Sequence, residues 1–522
     1  MRLPWGVPSF EKIRRQNLIY VDKTEQIVEL ARKNSYVFLS RPRRFGKSLL
    51  VSTLAALFRH GNAALKGLKG EGEWTEPEHP VVTLDFSAMK SLMRREDFVL
   101  GFDCHLRHAI VQAGFKTPQT AMAPQDRWDA FLRSFAGDDL VVLIDEYDAP
   151  LTARLNDAKL FDEAREVVAS FFDVTKIYSG KFRFLFVTGI MKFRQASIFS
   201  SFNNIRDISL LPEYGALLGY TEDEVKTFFA GHLRAAARVL ETSVDDVLVR
   251  LKTHYDGFCF DRRASTHVYS PWSVLSFLDR PQDGYKNYWF DSAGSPQFLV
   301  NFLKAHGALQ PQSFDAPVEM QLSTLESADH IEALALPVVL SHAGYLTIKE
   351  AGGTWVRMGY PNEEVRLSMG LVFSTAFWPD RSGNRGLAGR LVEALASGDA
   401  EAVLKAMNAL VHCLDYQDFT LTNEAAVRQL LQVFCLGADI PNRIEVHSPK
   451  GRSDLEISTA GQEIVFEFKF ARKGERVQAL LAKALEQMRE RDYGNPGEGN
   501  EFVRLAVVFS GVKRKFVAAR FA

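Results

Sequence analysis

The chain has 522 residues, which is too long for a single compact core and predicts two to four domains. Hydrophobic residues make up 46% and charged residues 24%, as in ordinary soluble proteins. The net charge is −1, so any surface that binds nucleic acid must be a local patch of positive charge. The N-terminus lacks the apolar run of a signal peptide, and no segment approaches the roughly 20 apolar residues that cross a bilayer. Four widely spaced cysteines form no zinc or redox motif and suggest a reducing cytosol: Cys104, Cys259, Cys413 and Cys435.

The first element with a chemical signature is the segment FLSRPRRFGKSLL, residues 38–50. The apolar run before it predicts a buried strand, and GKSLLVSTLAALF predicts a helix. Gly46, Lys47 and Ser48 stand at this strand-to-helix junction, as a phosphate-binding loop requires, although Arg41 stands where the first Gly is usual. We therefore expect Lys47 to reach the β- and γ-phosphates and the Ser48 hydroxyl to bind Mg²⁺.

The segment DDLVVLIDEYDAP predicts a second buried strand, which ends in two carboxylates. Ending a buried strand on two charges is costly without a partner, so we expect Asp145 to hold the Mg²⁺ shell and Glu146 to polarise the attacking water. Asp148 is more simply explained by a turn. Two further strands, VVTLDFS and FRFLFVTGI, alternate with helical stretches and predict a mostly parallel sheet. Thr188 comes at the end of the strand FRFLFVTGI, where P-loop ATPases place a polar residue that senses the γ-phosphate.

These segments resemble a known family. YVDKTEQIVELARKNSYVFLSRPRRFGKSLL, VVLIDEYDAP, FVTGIMKFRQASIFSSFNNIRDISL and GYTEDEV are similar to AAA-ATPase-like proteins that carry a C-terminal PD-(D/E)XK nuclease-like domain. The RPRRFGKS form of the loop is that family's own, so the resemblance favours a nucleotide site over a basic surface turn. It implies ATP as the ligand. The predicted nucleotide-binding residues are Arg43, Arg44, Phe45, Gly46, Lys47, Ser48, Leu49, Asp145 and Thr188.

The middle of the chain is predicted to hold a helical lid and a winged-helix-like element. Thr221 and Glu224 form a capping box that opens the first lid helix. The segment LPVVLSHAGYLTIKEAGGTWVRMGYPNEEVR predicts a helix, a strand, a Gly-Gly turn and a second strand. Such an element binds DNA in some proteins and protein in others. His342 has no second His at metal spacing, and the Gly- and Arg-rich residues 381–390 predict a boundary loop.

The C-terminal region contains an Asp…Glu-x-Lys pattern. Asp454 lies near the start of one strand, and Glu467 and Lys469 lie on one face of the apolar strand QEIVFEFKF. This spacing is typical of PD-(D/E)XK nucleases, in which the carboxylates hold Mg²⁺ and the Lys orients water or stabilises developing charge. The flanking elements follow the αβββαβ order of that core, with VRLAVVF as the last strand. Glu456 is the main competing carboxylate, and an ordinary surface Glu–Lys pair is the alternative explanation.

Several neighbours of this pattern are predicted to assist it. Glu424 in the preceding helix and Glu445 on the preceding strand are candidate extra metal ligands. Lys450 and Arg452 are placed to meet backbone phosphate. Gln487 and Tyr493 match a Gln…Tyr pattern of the family on the later helix.

The sequence thus predicts an α/β chain in three parts. These are a P-loop AAA-ATPase-like domain over residues 1–215, a helical lid with a winged-helix-like region over 216–380, and a restriction-endonuclease-like domain over 381–522. We expect a cytoplasmic ATPase coupled to a Mg²⁺-dependent DNA endonuclease, with Mn²⁺ as a substitute ion. The alternative is a nucleotide-dependent switch whose nuclease-like domain only binds nucleic acid or a protein partner.

The predicted chemistry depends on a small set of residues. A homo-oligomer is compatible with the sequence, and Arg194 and Arg206 are candidate arginine fingers in it. No membrane partner is expected. The predicted catalytic residues are Glu146, Asp454, Glu467 and Lys469, and the predicted metal ligands are Ser48, Asp145, Glu424, Asp454 and Glu467.

Overall fold

The structure is a computed structural model of the 522-residue chain. It describes residues 1–155, 157–193, 204–289, 296–305, 314, 317–326, 335–378, 381–414, 420–444, 447–448, 451–459, 462–491 and 501–522. The chain separates into two compact units. The first contains Met1–Gly294 and Pro317–Arg366, and the second contains Ser295–Ala316 and Leu367–Ala522. The finer division at 215 and 380 stays a prediction. Within the described ranges, no helix is long and apolar enough to span a membrane.

A five-stranded parallel sheet forms the centre of the first unit, in the order β2-β3-β4-β1-β5. Strand β3 is buried at every position, as a parallel strand covered on both faces should be. The loops after β1 and β3 open at the same edge of the sheet, because the carboxyl ends of parallel strands share an edge. The strands are β1 Tyr36–Ser40, β2 Val81–Asp85, β3 Leu140–Asp145, β4 Phe182–Gly189 and β5 Arg206–Asp207.

In the part of the chain that the structure describes, seven helices of this unit precede or connect these strands. The helix after β1 begins at Lys47, directly after Gly46, whose φ of +96° is a left-handed conformation that favours glycine. The predicted strand–loop–helix order is therefore confirmed. The helices are α1 Phe10–Arg15, α2 Thr24–Lys33, α3 Lys47–His60, α4 Arg95–Gln112, α5 Pro124–Ser134, α6 Ala149–Thr152 and α7 Ala158–Ile177.

The predicted helical lid follows the sheet. Its first helix has the expected capping box, in which Thr221 and Glu224 satisfy each other's backbone N–H groups. Val225, Phe229 and Leu251 lie in its apolar core. The elements are α8 Glu222–Phe228, α9 Ala230–Val239, α10 Val244–Tyr255 and α11 Pro271–Asp279, with a small hairpin of β6 Phe258–Cys259 and β7 His267–Val268.

The predicted helix and hairpin are present, with one strand more than expected. Helix α14 Leu336–His342 precedes the antiparallel strands β9 Thr347–Ala351 and β10 Trp355–Gly359. Strand β8 Val318–Gln321 pairs with the other edge of β10. The sequence did not predict β8, because VEMQ is short and pairs with a strand far along the chain. Helix α13 Leu322–Glu326 follows it.

The second unit begins with helices. They are α12 Pro296–Ala305, α15 Glu363–Phe377, α16 Arg381–Ser397, α17 Ala400–His412, α18 Glu424–Gly437 and α19 Val477–Glu490, and the boundary between the units falls inside α15. The prediction of a boundary loop over 381–390 was wrong, since α16 runs through it. Leu387 and Leu391 bury an apolar face on that helix, and this burial outweighs the low helix propensity of its glycines.

A five-stranded mixed sheet closes the second unit, in the order β11-β14-β15-β16-β17. The helix–strand order of the predicted nuclease core is confirmed, but VRLAVVF is not the last strand. β17 adds an antiparallel edge beyond it and carries its own alternating pattern. The strands are β11 Asn442–Ile444, β14 Leu455–Thr459, β15 Gln462–Ala471, β16 Glu501–Ser510 and β17 Lys515–Phe521, and a two-stranded ribbon consists of β12 His447–Ser448 and β13 Gly451–Arg452.

Candidate active sites

Arg41, at the position usually held by the first Gly of a phosphate loop, is a buried structural support. Its guanidinium donates hydrogen bonds to the backbone carbonyls of Ser40, Ser209 and Tyr214 at 2.8, 2.7 and 3.0 Å. Its Cζ atom lies 4.5 Å from the centroid of the Phe260 ring. Burial lowers the pKa of Arg41 to about 9. The loop keeps an arginine because this side chain ties it to the segment after β5 and to the β6 hairpin region.

Three predicted residues converge where α3 begins. Lys47 is 5% exposed, and its Nζ donates to the carbonyls of Arg41 and Pro42 at 3.0 and 2.9 Å. Burial lowers the pKa of Lys47, and the charge of Asp145 opposes that shift. Burial also raises the pKa of Asp145 to about 6, against a hydrogen bond from Ser48. The amine, the hydroxyl and the carboxylate that nucleotide chemistry needs therefore lie together.

The two carboxylates after Asp145 face different surroundings. Glu146 lines the cavity beside the phosphate loop and has a left-handed φ of +47°, which costs about 1 kcal/mol or more in a non-glycine residue. Asp148 is 1% exposed and accepts hydrogen bonds from the backbone N–H groups of Ile190 and Met191 at 3.1 and 2.8 Å. Glu146 is therefore placed to meet a ligand, whereas Asp148 fixes the turn after β4.

A cavity of about 500 Å³ adjoins the loop, within the range of about 300–1,000 Å³ typical of small-molecule sites. Its polar end is formed by Arg43, Lys47, Ser48 and Glu146. Its other walls are largely apolar and come from the N-terminal segment and the lid. They include Val7, Ile19, Ile27, Leu218, Tyr220, Trp272 and Leu275. The polar end, beside a loop at a helix N-terminus, suits an anion. The apolar remainder of the cavity suits a flat, weakly polar group attached to that anion.

Three other predicted residues of the loop also line this cavity. Arg43 lies at its polar end. Arg44 is exposed, has a φ of +68° and places its Cζ atom 4.2 Å from the centroid of the Trp272 ring. Leu49 also packs against the small apolar cluster around Phe10. The loop thus has two exposed or half-exposed arginines besides the buried Arg41.

Phe45 and Thr188 are turned toward the protein interior. The Phe45 ring is 1% exposed and packs edge-on against Phe258 and Phe260, with centroids 4.8 and 4.9 Å away. Thr188 is fully buried and donates its hydroxyl to the Leu39 carbonyl at 2.7 Å. A γ-phosphate-sensing role for Thr188 stays a prediction. Any contact of Phe45 with nucleotide would come from its backbone.

Sequence reasoning missed two polar residues that line the cavity. Lys23 donates from Nζ to both carboxylate oxygens of Glu224 at 2.8 Å and to the Ala216 carbonyl at 2.7 Å. Lys90 follows β2 and lies at the polar end. A single lysine after a strand has no spacing signal, so only the neighbourhood of β2 and β3 in the sheet could have indicated Lys90.

The Glu-x-Lys pair on β15 is buried. Glu467 is 1% exposed and Lys469 is 8% exposed, and Lys469 Nζ donates to Glu467 Oε1 at 2.6 Å. Among the described residues, the other carboxylate oxygen, Glu467 Oε2, is buried without a hydrogen-bond partner. Burial and the neighbouring Asp454 charge raise the pKa of Glu467. An exposed ion pair would show none of these features, so the surface-pair explanation does not fit this geometry.

Asp454 and Glu424 lie beside this pair. Asp454 accepts a hydrogen bond from the Phe468 N–H at 2.9 Å, and its Oδ1 lies 3.7 Å from Nη1 of Arg428. Burial raises the pKa of Asp454 against these contacts. Glu424 accepts from the Phe470 N–H at 3.3 Å and lies 4.0 Å from Lys469 Nζ. Sequence reasoning missed Arg428, which lies one helical turn after Glu424.

The competing carboxylate, Glu456, belongs to a different cluster. It is 4% exposed, lies 3.2 Å from Nη2 of Arg443 and accepts a hydrogen bond from Ser453 at 3.0 Å. Gln487 is half-buried on α19. Three predicted residues lie outside the described part of the chain, namely Glu445, Lys450 and Tyr493, and of Arg452 only the backbone, in β13, is described.

The carboxylates at Asp454 and Glu467 fit a divalent cation in one respect. Among the described residues, the buried Glu467 has an oxygen that lacks a partner and lies close to the half-buried Asp454, an arrangement that a positive ion would relieve. As they stand, the described residues contain no group of three or more His, Cys, Asp and Glu side chains that could hold a metal ion. One carboxylate oxygen of Glu424 and one of Asp454 instead accept hydrogen bonds from backbone N–H groups.

Two other predicted residues are accounted for by their surroundings. Arg206 donates to Asn34 Oδ1 at 2.9 Å and to Glu213 at 3.2 Å, while Arg194 lies outside the described residues. Burial lowers the pKa of His342 to about 4, and it lies in a smaller cavity behind the loop. No role as an arginine finger or as a metal ligand follows from these positions.

Comparison with known protein families agrees with both sites. Residues 4–199 match the family described as predicted AAA-ATPase, and residues 423–519 match the PD-(D/E)XK nuclease superfamily. The chain therefore carries an AAA-ATPase-like domain and a C-terminal PD-(D/E)XK nuclease-like domain, and the resemblance predicted from the sequence is confirmed. The phosphate loop and Asp145 lie in the first match, and Glu424, Asp454, Glu467 and Lys469 lie in the second.

A full-length relative is also found. The chain is 29% identical over 543 residues, covering 99% of this chain and 98% of the relative, to a protein of Azotobacter chroococcum mcd 1 named only as an uncharacterized protein in the vnfD 5′ region. No solved structure matches the chain. The similarity extends over nearly the whole of both chains, and the name of the relative assigns no activity.

Proposed function

We propose that the chain binds and hydrolyses ATP at the phosphate loop, and that its C-terminal domain is a metal-dependent DNA nuclease. The observation that carries the proposal is that each matched domain brings the required charges together. Lys47 and Asp145 meet at the carboxyl edge of the first sheet, and Asp454, Glu467 and Lys469 meet on the second. Charges are held in buried positions at both places, which is costly without a function.

In the ATP site, the chain's own groups would divide the work by position. Lys47 would exchange its two carbonyl contacts for phosphate oxygens, together with the free N–H groups at the start of α3. Ser48 and Asp145 would hold the Mg²⁺ that accompanies the nucleotide, which supplies positive charge to the phosphates. Glu146 would accept a proton from the attacking water. The adenine ring of the nucleotide would lie against the apolar walls of the cavity near Trp272.

In the nuclease site, Asp454 and Glu467 would hold a divalent cation, with Glu424 as a further ligand. The ion would supply positive charge at the scissile phosphodiester. Lys469 would orient the attacking water or stabilise the charge that develops on the phosphate. In the structure the Lys469 amine donates to Glu467 Oε1, so it lies next to the carboxylate that would bind the cation.

The ATP half is tested with Glu146→Gln. The amide keeps the shape of the side chain and removes the base, so we expect ATP affinity close to wild type and hydrolysis reduced by about 10²–10⁴-fold. Calorimetry with ATP and a phosphate-release assay measure the two quantities. Wild-type hydrolysis by Glu146→Gln would exclude Glu146 as the base.

The nuclease half is tested by plasmid nicking with Mg²⁺ or Mn²⁺ and by Mn²⁺ titration. Glu467→Ala and Lys469→Ala should both lose nicking. Glu467→Ala should also lose metal affinity, whereas Lys469→Ala should keep or slightly gain it, because a nearby positive charge is removed. Glu456→Gln is the matched control and should nick normally, because Glu456 pairs with Arg443 away from the site. DNA binding without nicking by the wild type would favour the binding-module alternative.

A further inference from the structure

We infer that Lys90 is a phosphate-contacting catalytic residue, which supplies from the same chain the cation that many P-loop ATPases receive from another subunit. In those enzymes an arginine provided in cis or in trans stabilises the charge on the transferred phosphoryl group. The inference rests on the proposed ATP site and adds to it the source of the stabilising cation.

The position of Lys90 is fixed by buried packing. Strand β2 ends at Asp85 and continues into a 3₁₀ turn over Phe86–Met89, in which Phe86 and Met89 are 0% and 1% exposed. The Asp85 carboxylate accepts a hydrogen bond from the Ser87 N–H at 2.9 Å, and the Lys90 N–H donates to the Ser87 carbonyl at 3.2 Å. The backbone that leads to Lys90 is thus anchored.

The sheet order brings this turn to the hydrolytic end of the cavity. Strand β2 lies beside β3, and Asp85 is paired in register with Asp145. Lys90 therefore leaves the sheet next to the strand that carries Asp145 and Glu146, and it lines the same cavity as Lys47, Ser48 and Glu146. The γ-phosphate of a nucleotide held by Lys47 would lie at this end.

The amine of Lys90 is available for a ligand. It forms no hydrogen bond and no ion pair within 4 Å among the residues that the structure describes, although Glu146 lies in the same cavity wall. Partial burial and the charge of Arg43 lower the pKa of Lys90, while Glu146 and Asp148 act in the opposite direction. A polyanion bound at this end of the cavity would meet the cationic side chains of Arg43, Lys47 and Lys90.

A cation from a second copy of the chain is the competing source. Arg206, the candidate finger that the structure describes, already pairs with Asn34 and Glu213. Lys90 is present in every single molecule, so hydrolysis that uses it does not depend on assembly. The two sources therefore predict different responses of the specific activity to protein concentration.

The test compares full-length wild type, Lys90→Met, Lys90→Arg and the control Lys159→Met, whose lysine is exposed on α7 away from the cavity. ATP hydrolysis is measured over a tenfold range of protein concentration, and ADP affinity by calorimetry. We expect Lys90→Met to lower kcat about 10²–10³-fold with ADP affinity unchanged, and Lys90→Arg to recover most of the activity. Specific activity of the wild type should not change with concentration.

The outcomes separate the inference from the proposed function. If the wild type does not bind ADP, the nucleotide site itself is wrong, and Lys90 has no role there. If the wild type hydrolyses ATP and Lys90→Met matches Lys159→Met, the site stands and the inference is overturned. Specific activity that rises with protein concentration would assign the cation to a second subunit. Loss of ADP affinity in Lys90→Met would make Lys90 a residue of ground-state binding, and that also overturns the inference.

Discussion

A guanidinium buried at the start of the phosphate loop changes what this loop requires of its residues. In the usual loop the first Gly allows a tight turn, whereas here Arg41 holds the turn by hydrogen bonds to three carbonyls and by contact with Phe260. Arg44, three residues later, is exposed and rests on Trp272. The two arginines look alike in the sequence and have opposite structural roles.

This difference predicts unequal effects of two similar substitutions on stability. Arg41→Gly should lower the free energy of unfolding by about 3–5 kcal/mol, because it removes three buried hydrogen bonds and leaves a cavity beside Phe260. Arg44→Gly should change it by less than about 1 kcal/mol, because loss of the contact with Trp272 is offset by relief of a left-handed φ. Urea unfolding of both variants measures the difference, and equal destabilisation would contradict this account of Arg41.

At this scale the sequence predicts residues that belong to a spaced motif and misses isolated ones. Lys47, Ser48 and Asp145 were predictable because strand and helix periodicity fixes where such residues point. Lys90 and Arg428 were not, because each is a single charged residue whose neighbours come from another strand. The buried role of Arg41 was also beyond the sequence, since two of its three acceptors lie more than a hundred residues away along the chain.

Among the helices and strands, α16 is a helix where the sequence predicted a loop. Gly386 and Gly389 are exposed on this helix, and a Cβ atom at either position would meet no atom within 4 Å. Gly389→Ala should therefore raise the free energy of unfolding of the second unit by about 0.5–1 kcal/mol, because alanine has the higher helix propensity. Were the segment a loop, the substitution would be close to neutral.

A glycine in another helix of the same unit provides the control. At Gly437, the last residue of α18, a Cβ atom would lie 1.8 Å from Ser374 Oγ. Gly437→Ala should therefore destabilise the unit, by about 1–3 kcal/mol for an overpacked contact. Chemical denaturation of both variants should show shifts of opposite sign.

Helix α15 brings a pH dependence to the first unit. Glu364 accepts hydrogen bonds from the Ser273 hydroxyl and from the N–H groups of Tyr288 and Trp289, at 2.7, 2.8 and 3.0 Å. Burial nevertheless raises its pKa from an ordinary value of 4.5 to about 8. A carboxyl with a raised pKa in the folded state stabilises it fully below the unfolded pKa, and this stabilisation is lost as the pH rises toward the folded pKa.

The corresponding prediction compares the wild type with Glu364→Gln, which cannot titrate. Between about pH 5 and about pH 8, the wild type should lose stability relative to Glu364→Gln, by an amount on the order of a few kcal/mol. Urea unfolding at several pH values measures this difference. Parallel stability curves for the two proteins would mean that Glu364 stays ionised when buried.

For the whole molecule, the two charge clusters lie in different compact units. Lys469→Ala should therefore abolish DNA cleavage and leave intrinsic ATP hydrolysis intact. Lys47→Ala should abolish ATP binding without unfolding the protein, because its amine contacts two loop carbonyls and not the apolar core. Both assays are run on one preparation of each variant. Loss of ATP hydrolysis in a folded Lys469→Ala protein would contradict separate sites.

The overall organisation was predictable because each domain carries its own local signal. The strand–loop–helix around Lys47 and the strand pair around Glu467 are short-range patterns, and both family matches agree with them. The limits of the compact units were not predictable. They depend on residues 295–316 joining the second unit and residues 317–366 returning to the first, which is a matter of long-range packing.

The buried arginine of the phosphate loop also constrains how this sequence can change by descent. A single replacement of Arg41 by Gly would produce the common loop pattern and, at the same time, remove three buried hydrogen bonds and the side chain that packs against Phe260. Substitutions at contacting positions do not act independently, so the compensating changes around Ser209 and Tyr214 would have to come first or together. Exchange of Arg41 for Gly alone is therefore expected to be destabilising, and the exchange needs matching changes among the residues that contact Arg41.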